Sequence, residues 1–222
     1  MIATRQMEIT KKQSTEGPAE NGATSTEQPP LTGQSYREKH GVQLKNISSP
    51  PDPFFVFEQK AFPQFILDTI RANGFKSFTP IQAQGLPIIM SGRDFIGISK
   101  TGSGKTLAFL IPAIVHLLEK NISSRTTSIL VLSPTRELAM QIENEFKKFL
   151  SRSKVTWACV YGGIKKDYQR GSLRGGVQIL VATPGRLIDF IDEGSISIEE
   201  VSYFVLDEAD RMLDMGFAPQ IR

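Results

Sequence analysis

Cysteine is almost missing from the 222 residues: Cys159 is the only one. No disulfide can form within the chain, so a stapled or cysteine-ligated miniprotein is excluded and a reducing compartment is favoured over secretion. Cys159 itself stands in an apolar run and reads as core. Long apolar runs are missing too, since the longest, Phe109 to Leu118, is interrupted by Pro112 and His116. The first residues, MIATRQMEITKKQ, contain no apolar stretch of the kind a secretory signal needs. A membrane span and an export signal are therefore set aside, and an intracellular protein is expected. Nucleus and cytoplasm stay equally open, because the first 53 residues offer no dense basic run beyond Lys11-Lys12. A strong excess of one charge is lacking as well: 26 basic against 23 acidic residues leave +3, which permits an anionic partner without demanding one.

Aromatic residues are scarce in one place. Residues 1–53 hold six of the thirteen prolines, eleven Ser or Thr, and a single aromatic, Tyr36. Such a segment buries too little surface to offset the entropy of ordering, so a disordered N-terminal tail is expected there. Residues 54–222 carry all fourteen Phe and Trp157 and form the folded part.

What is present in that part is alternation. Five short apolar runs, DFIGIS (94–99), SILVLS (128–133), TWACVY (156–161), VQILVA (177–182) and SYFVLD (202–207), are separated by helical patterns near 104–120, 135–150 and 185–193. The runs are continuously apolar, as strands are when helices cover both faces of a parallel sheet. The expected fold is α/β, doubly wound, with a mostly parallel sheet whose chemistry gathers at the carboxyl ends of the strands.

After the first of these strands comes Ser99-Lys100-Thr101-Gly102-Ser103-Gly104-Lys105-Thr106, then the helix-forming LAFLIPAIVHLLEK. Glycines let backbone N–H groups turn inward around a phosphate, and the helix start adds its positive dipole end. Lys105 can reach outer phosphates and Thr106 can ligate Mg²⁺. The general pattern has Gly where Ser99 stands, but the strand before and the helix after mark a phosphate-binding loop. Asp207 and Glu208 end the strand SYFVL. Alone, an acidic pair there reads first as a helix N-cap. Beside a phosphate loop, Asp207 reads as a Mg²⁺ ligand and Glu208 as the group that orients and deprotonates the attacking water.

Asp207-Glu208-Ala209-Asp210 spells the signature of the DEAD-box RNA helicases, and further motifs resemble that family in order and spacing. Ser99–Thr106 is similar to its motif I, with Ser where Ala is usual. Pro134-Thr135-Arg136-Glu137-Leu138 resembles motif Ia, Gly162-Gly163 the GG element, and Thr183-Pro184-Gly185-Arg186 motif Ib. Gly74-Phe75 and Thr79-Pro80-Ile81-Gln82 resemble the Q motif, within about 55–83, with Phe57 as its upstream aromatic and Phe78 where Pro is usual. Arg211 to Phe217 is most similar to the p68-like branch. The resemblance covers residues 54–222.

It implies a RecA-like, P-loop NTPase domain that uses ATP and Mg²⁺. By the same resemblance Gln82 reads the adenine edge while Phe57 packs on the base, and Asp210 couples two domains. An RNA backbone would lie along Pro134, Thr135, Arg136, Gly162, Gly163, Thr183, Gly185 and Arg186. Those residues grip phosphate and ribose, so binding would be independent of sequence. The family continues with a Ser-Ala-Thr strand and a second RecA-like domain supplying arginines to the γ-phosphate, whereas this chain stops fifteen residues after Asp207. Helicase chemistry in a longer protein and a catalytically incomplete nucleotide- or RNA-binding module both stay open. A small-molecule kinase is disfavoured, because nothing resembles a lid or acceptor site.

Overall fold

The computed structural model describes residues 6–8, 32–57, 61–120, 126–151 and 153–221. In chain order they form β1 (Gln6–Glu8), α1 (Gly33–His40), α2 (Gln64–Ala72), α3 (Pro80–Met90), β2 (Ile96–Ile98) and α4 (Lys105–Lys120). There follow β3 (Ile129–Leu132), α5 (Arg136–Leu150), β4 (Trp157–Val160), α6 (Lys166–Leu173), β5 (Ile179–Ala182) and α7 (Pro184–Asp192), then β6 (Tyr203–Leu206), α8 (Ala209–Asp214) and α9 (Ala218–Ile221). All five expected strands form, each a residue or two inside its apolar run.

Four of them make a fully parallel sheet in the order β4-β5-β3-β6. β3 (ILVL) and β5 (ILVA) are buried along their whole length, which is why their sequences do not alternate. Two apolar clusters lie on opposite faces. Ile129 and Val131 join α4 and α5 residues such as Ile114 and Phe146. Leu130 and Leu132 join Leu187, Phe190 and Met212. Odd and even residues of one strand thus feed two separate cores.

The register places the strand ends in one row: Val160 pairs with Ala182, Ala182 with Leu132, and Leu132 with Leu206. The loops that begin after Val160, Leu132, Ala182 and Leu206 therefore open side by side. β2 stands in a separate two-stranded sheet with β1, and β2 and β6 face one another across a cleft without pairing.

The expected tail boundary at residue 53 does not hold in the structure. Residues 1–5 and 9–31 lie outside the described residues, but residues 32–53 lie on the folded body. α1 is capped by Thr32, whose side chain accepts from the Ser35 amide, and ends at left-handed Gly41. Tyr36 and Val42 are each buried to 7 % exposure, and the Phe54 amide donates to Ala83 O on α3. Two apolar anchors, and the Phe54 bond that directly follows the segment, tie to the body a stretch whose average composition is polar. Cys159 meets its expectation: it packs against the larger core, and burial pushes its thiol up to about 12.

Candidate functional site

Lys105 is the first residue of α4, directly behind the glycine loop. Gly102 and Gly104 both take positive φ, +76° and +87°, and so turn the loop at positions where other residues are strained. Ser99 Oγ lies 2.6 Å from Ser103 Oγ. The departure from the general pattern at Ser99 thus adds a hydrogen bond across the loop. The Lys105 ammonium donates to Ser99 O at 2.7 Å and to Lys100 O at 3.2 Å, so carbonyls occupy the donors that phosphate oxygens would take.

Asp207 and Glu208 follow β6 and open into the same cleft. This cleft, of about 580 Å³, is lined by Ser99, Thr101, Lys105, Asp207, Glu208 and Asp210 among others. Burial, first, and the Glu208 charge, second, hold the Asp207 carboxyl above its ordinary value, with Lys105 opposing. Glu208 adopts φ +53° and ψ +49°, the left-handed region, although it is not glycine. Such a conformation costs on the order of 1–3 kcal/mol and is kept where the surroundings fix it. Glu208 occupies the N-cap position of α8 but makes no side-chain capping bond; its carboxylate instead accepts from Arg211 at 3.1 Å. The capping alternative for Glu208 is therefore not met.

A raised carboxyl pKa has a stability consequence with a definite sign. Below the ordinary Asp range both folded and unfolded forms carry the proton. As pH rises through the elevated folded value, the buried side chain must ionise and stability is lost. Asp207→Asn should therefore melt at a higher temperature than the parent at pH 7.5, with the difference closing towards pH 4. Thermal melts of both proteins across that range check it, and a difference that widens on acidification would contradict burial as the cause of the shift.

Gln82 is 5 % exposed and joins the Q-motif helix to the phosphate loop. Its Oε1 accepts from the Thr79 amide at 3.0 Å and its Nε2 donates to Gly104 O at 3.0 Å. The fit is close, since a Cβ on Gly104 would overlap Gln82 Nε2. One amide N–H and one lone pair remain for a ligand. Thr79 Oγ1 is buried beside Gly104 and takes part with Gln82 in a capping box at the start of α3. Asp207 and the Thr106 hydroxyl are hard oxygen donors of the kind Mg²⁺ takes. Phe57 packs on Phe78, ring centroids 4.3 Å apart and 64° inclined. Phe78 in turn meets Phe54 and Phe62, so the residue that replaces the usual Pro anchors an aromatic cluster. Asp210 is exposed on the first turn of α8.

The second group of residues lies after β3, β4 and β5. Thr135 caps α5, accepting from the Leu138 amide, beside buried Pro134. Exposed Arg136 places its guanidinium 4.9 Å from the centre of the Tyr161 ring. Gly162, Gly163 and Gly185 have open space where a side chain would stand, and Thr183 leaves its hydroxyl out of the α7 cap. Arg186 differs. Its side chain is 8 % exposed, Nη2 donates to Ile164 O at 2.9 Å, and Nε lies 3.4 Å from Asp189 Oδ2. It supports the turn after Gly162-Gly163 from within. Around it, Lys166 and Arg170 both grip Glu193, at 2.6 Å and 2.9 Å, tying α6 to α7.

The family model described as DEAD/DEAH box helicase matches residues 79–222. The ATP-dependent RNA helicase DBP2 of Gibberella zeae is 47 % identical over 191 residues, covering 85 % of this chain and 34 % of the relative. DBP2 of Scheffersomyces stipitis is 47 % identical over 205 residues, covering 89 % of this chain and 38 % of the relative. The chain thus spans about a third of the length of the curated relatives it matches. Among solved structures, the RNA helicase Prp28 from Chaetomium thermophilum bound to ADP superposes with a TM-score of 0.80 at 36 % identity, over 90 % of this chain and 50 % of that one. The yeast DEAD-box splicing factor Prp28 gives 0.75 at 32 % identity, over 86 % and 47 %.

Proposed function

This chain belongs to the DEAD/DEAH box helicase family, and from that premise we propose that it is the first RecA-like domain of an intracellular ATP-dependent RNA helicase. It binds ATP with Mg²⁺ in the cleft and an RNA backbone along the loops after β3, β4 and β5. The observation that carries the reading is the meeting of Lys105, Asp207 and Glu208 in one cleft. Lys105 exchanges its two carbonyl partners for outer phosphate oxygens, and the first turn of α4 donates N–H groups to the same anion. Thr106 and Asp207 would hold Mg²⁺, which supplies Lewis-acid neutralisation of phosphate charge. Glu208, once released from Arg211, takes the proton of the attacking water.

RNA is gripped without base reading, because the residues assigned to the contact offer glycine backbone, half-buried hydroxyls and the exposed Arg136 guanidinium. These suit phosphate and ribose. Arg186 acts on RNA only through the Ile164 turn it supports. A module that binds nucleotide without turnover is the second reading, favoured for the 222 residues taken by themselves. Among the described residues, both arginines of the cleft are engaged elsewhere: Arg211 on Glu208 and Arg93 on Ser49 O at 3.3 Å.

The experiment is a titration of ADP and GDP against the parent and Gln82→Ala. The parent should prefer ADP, and the variant should lose that preference by about 1–3 kcal/mol as a partly buried amide contact disappears. Equal affinity of the parent for the two nucleotides would end the adenine assignment.

A further inference from the structure

The segment 32–57 does more than cover the body, because its side-chain fastening to α3 centres on a fully buried amide. Gln84 is 0 % exposed. Its Oε1 accepts from Arg37 Nη1 of α1 at 3.1 Å, and its Nε2 donates to Pro51 O at 3.0 Å. One amide thereby holds two points of the segment that are fourteen residues apart in sequence. Nearby, Gly33 and Asp52 approach so closely that a Cβ on Gly33 would overlap the Asp52 carboxylate, and the Phe54 amide bonds to Ala83 O, the residue between Gln82 and Gln84. These contacts form a strap across α3.

On the helix, residues two positions apart project from different sides. Gln84 faces the strap, and Gln82 faces Thr79 and Gly104 of the phosphate loop. α3 has little room to shift on its third side, since a Cβ on Gly85 would stand 3.0 Å from the Phe95 ring that leads into β2. The helix is thus a short rigid link with the strap at one end of a buried amide pair and the nucleotide loop at the other.

We propose that Arg37 and Gln84 are positioning residues for nucleotide selection: by fastening the strap to α3 they hold the Gln82 amide in register with Gly104 O. The inference rests on the adenine-reading role proposed for Gln82. Neither residue touches the nucleotide, so the effect should appear as a change in base preference and should vanish when Gln82 is gone.

Arg37 is the residue to change, because it is partly exposed and Arg37→Met keeps its alkyl packing, whereas a change at fully buried Gln84 risks the fold. The full 222-residue chain is titrated with ADP and with GDP as parent, Arg37→Met, Arg37→Lys, Gln82→Ala and the Arg37→Met, Gln82→Ala double variant, with a thermal melt of each. Arg37→Met should reduce the ADP-over-GDP preference by roughly 2- to 30-fold, the range through which a residue touching neither ligand alters coupling. Arg37→Lys should restore part of it. In the Gln82→Ala background the same change should cost nothing further. A lowered melting temperature with the preference unchanged would overturn the proposal while leaving the Gln82 assignment standing, as would an equal loss in both backgrounds. No ADP preference in the parent would overturn both.

Discussion

The 222 residues alone should release phosphate from ATP at one slow rate, with or without single-stranded RNA. A chimera that adds the remaining length of the Gibberella zeae relative should be stimulated by RNA. In phosphate-loop enzymes an arginine aimed at the γ-phosphate is worth about 10³ to 10⁵ in rate, because it meets charge that develops only in the transition state. The cleft contains two arginines among the described residues, and each has a partner: Arg211 on Glu208 and Arg93 on the Ser49 carbonyl. Releasing Arg211 would free a cation close to the base rather than to the phosphate loop. Among the described residues the facing strands β2 and β6 stay unpaired with one another, and in the proposed full-length helicase another strand would complete the sheet and steady both motif loops. Phosphate release, measured on chain and chimera with and without RNA, decides the matter. RNA-stimulated turnover near one per second by the 222 residues would show that the described cleft is already complete.

Within the chimera, Lys105→Ala and Glu208→Gln should fail in different ways. Lys105 is bound to two loop carbonyls, and its ammonium is the cation at the start of α4. Its proposed role is to meet phosphates that are already charged in the ground state, so its loss should weaken ATP binding. Each charge-assisted hydrogen bond lost costs about 1.5–3 kcal/mol, roughly 10- to 150-fold in Kd. In the proposed mechanism Glu208 acts on a water during the chemical step. A positioned base contributes about 10² to 10⁴ in rate, and Glu208→Gln should remove that while Kd stays within a few-fold. Glutamine has the size of glutamate and faces the same left-handed backbone, so the fold is spared. Equilibrium binding and single-turnover hydrolysis separate the two. Weakened binding in Glu208→Gln with turnover of the bound fraction intact would reject the division of labour.

Much of the site is legible in sequence because its parts are local. A glycine loop between an apolar strand and a helix, and two carboxylates at the end of another strand, are each written in consecutive residues. The backbone within a few positions decides how they present themselves. The central strands β3 and β5 are legible for a related reason: burial on both faces leaves the runs ILVL and ILVA with no polar member. The strap is not. Its composition averages to that of a disordered segment, and the Arg37–Gln84–Pro51 bonds that fasten it depend on a partner more than thirty residues away. Arg186 reads in sequence as a direct RNA contact for the same reason, since the carbonyl that turns it inward, Ile164 O, belongs to another loop.

Sequence by itself thus determined the chemistry available: a phosphate cradle, a lysine, a carboxylate pair, and glycine-bearing loops after parallel strands. The tertiary structure decided which of these meet. Strand order put β6 at one edge of the four-stranded sheet, facing β2, and grouped β4, β5 and β3 together, with the ends of the four in one row. The residues proposed for nucleotide chemistry and those proposed to grip an RNA backbone are therefore divided between two sides of one surface. The physical reason is reach. Propensity, capping and loop geometry act over a few residues, whereas strand order, the burial of Arg186 and the clasp on Gln84 arise from contacts between segments that only the packed core brings together.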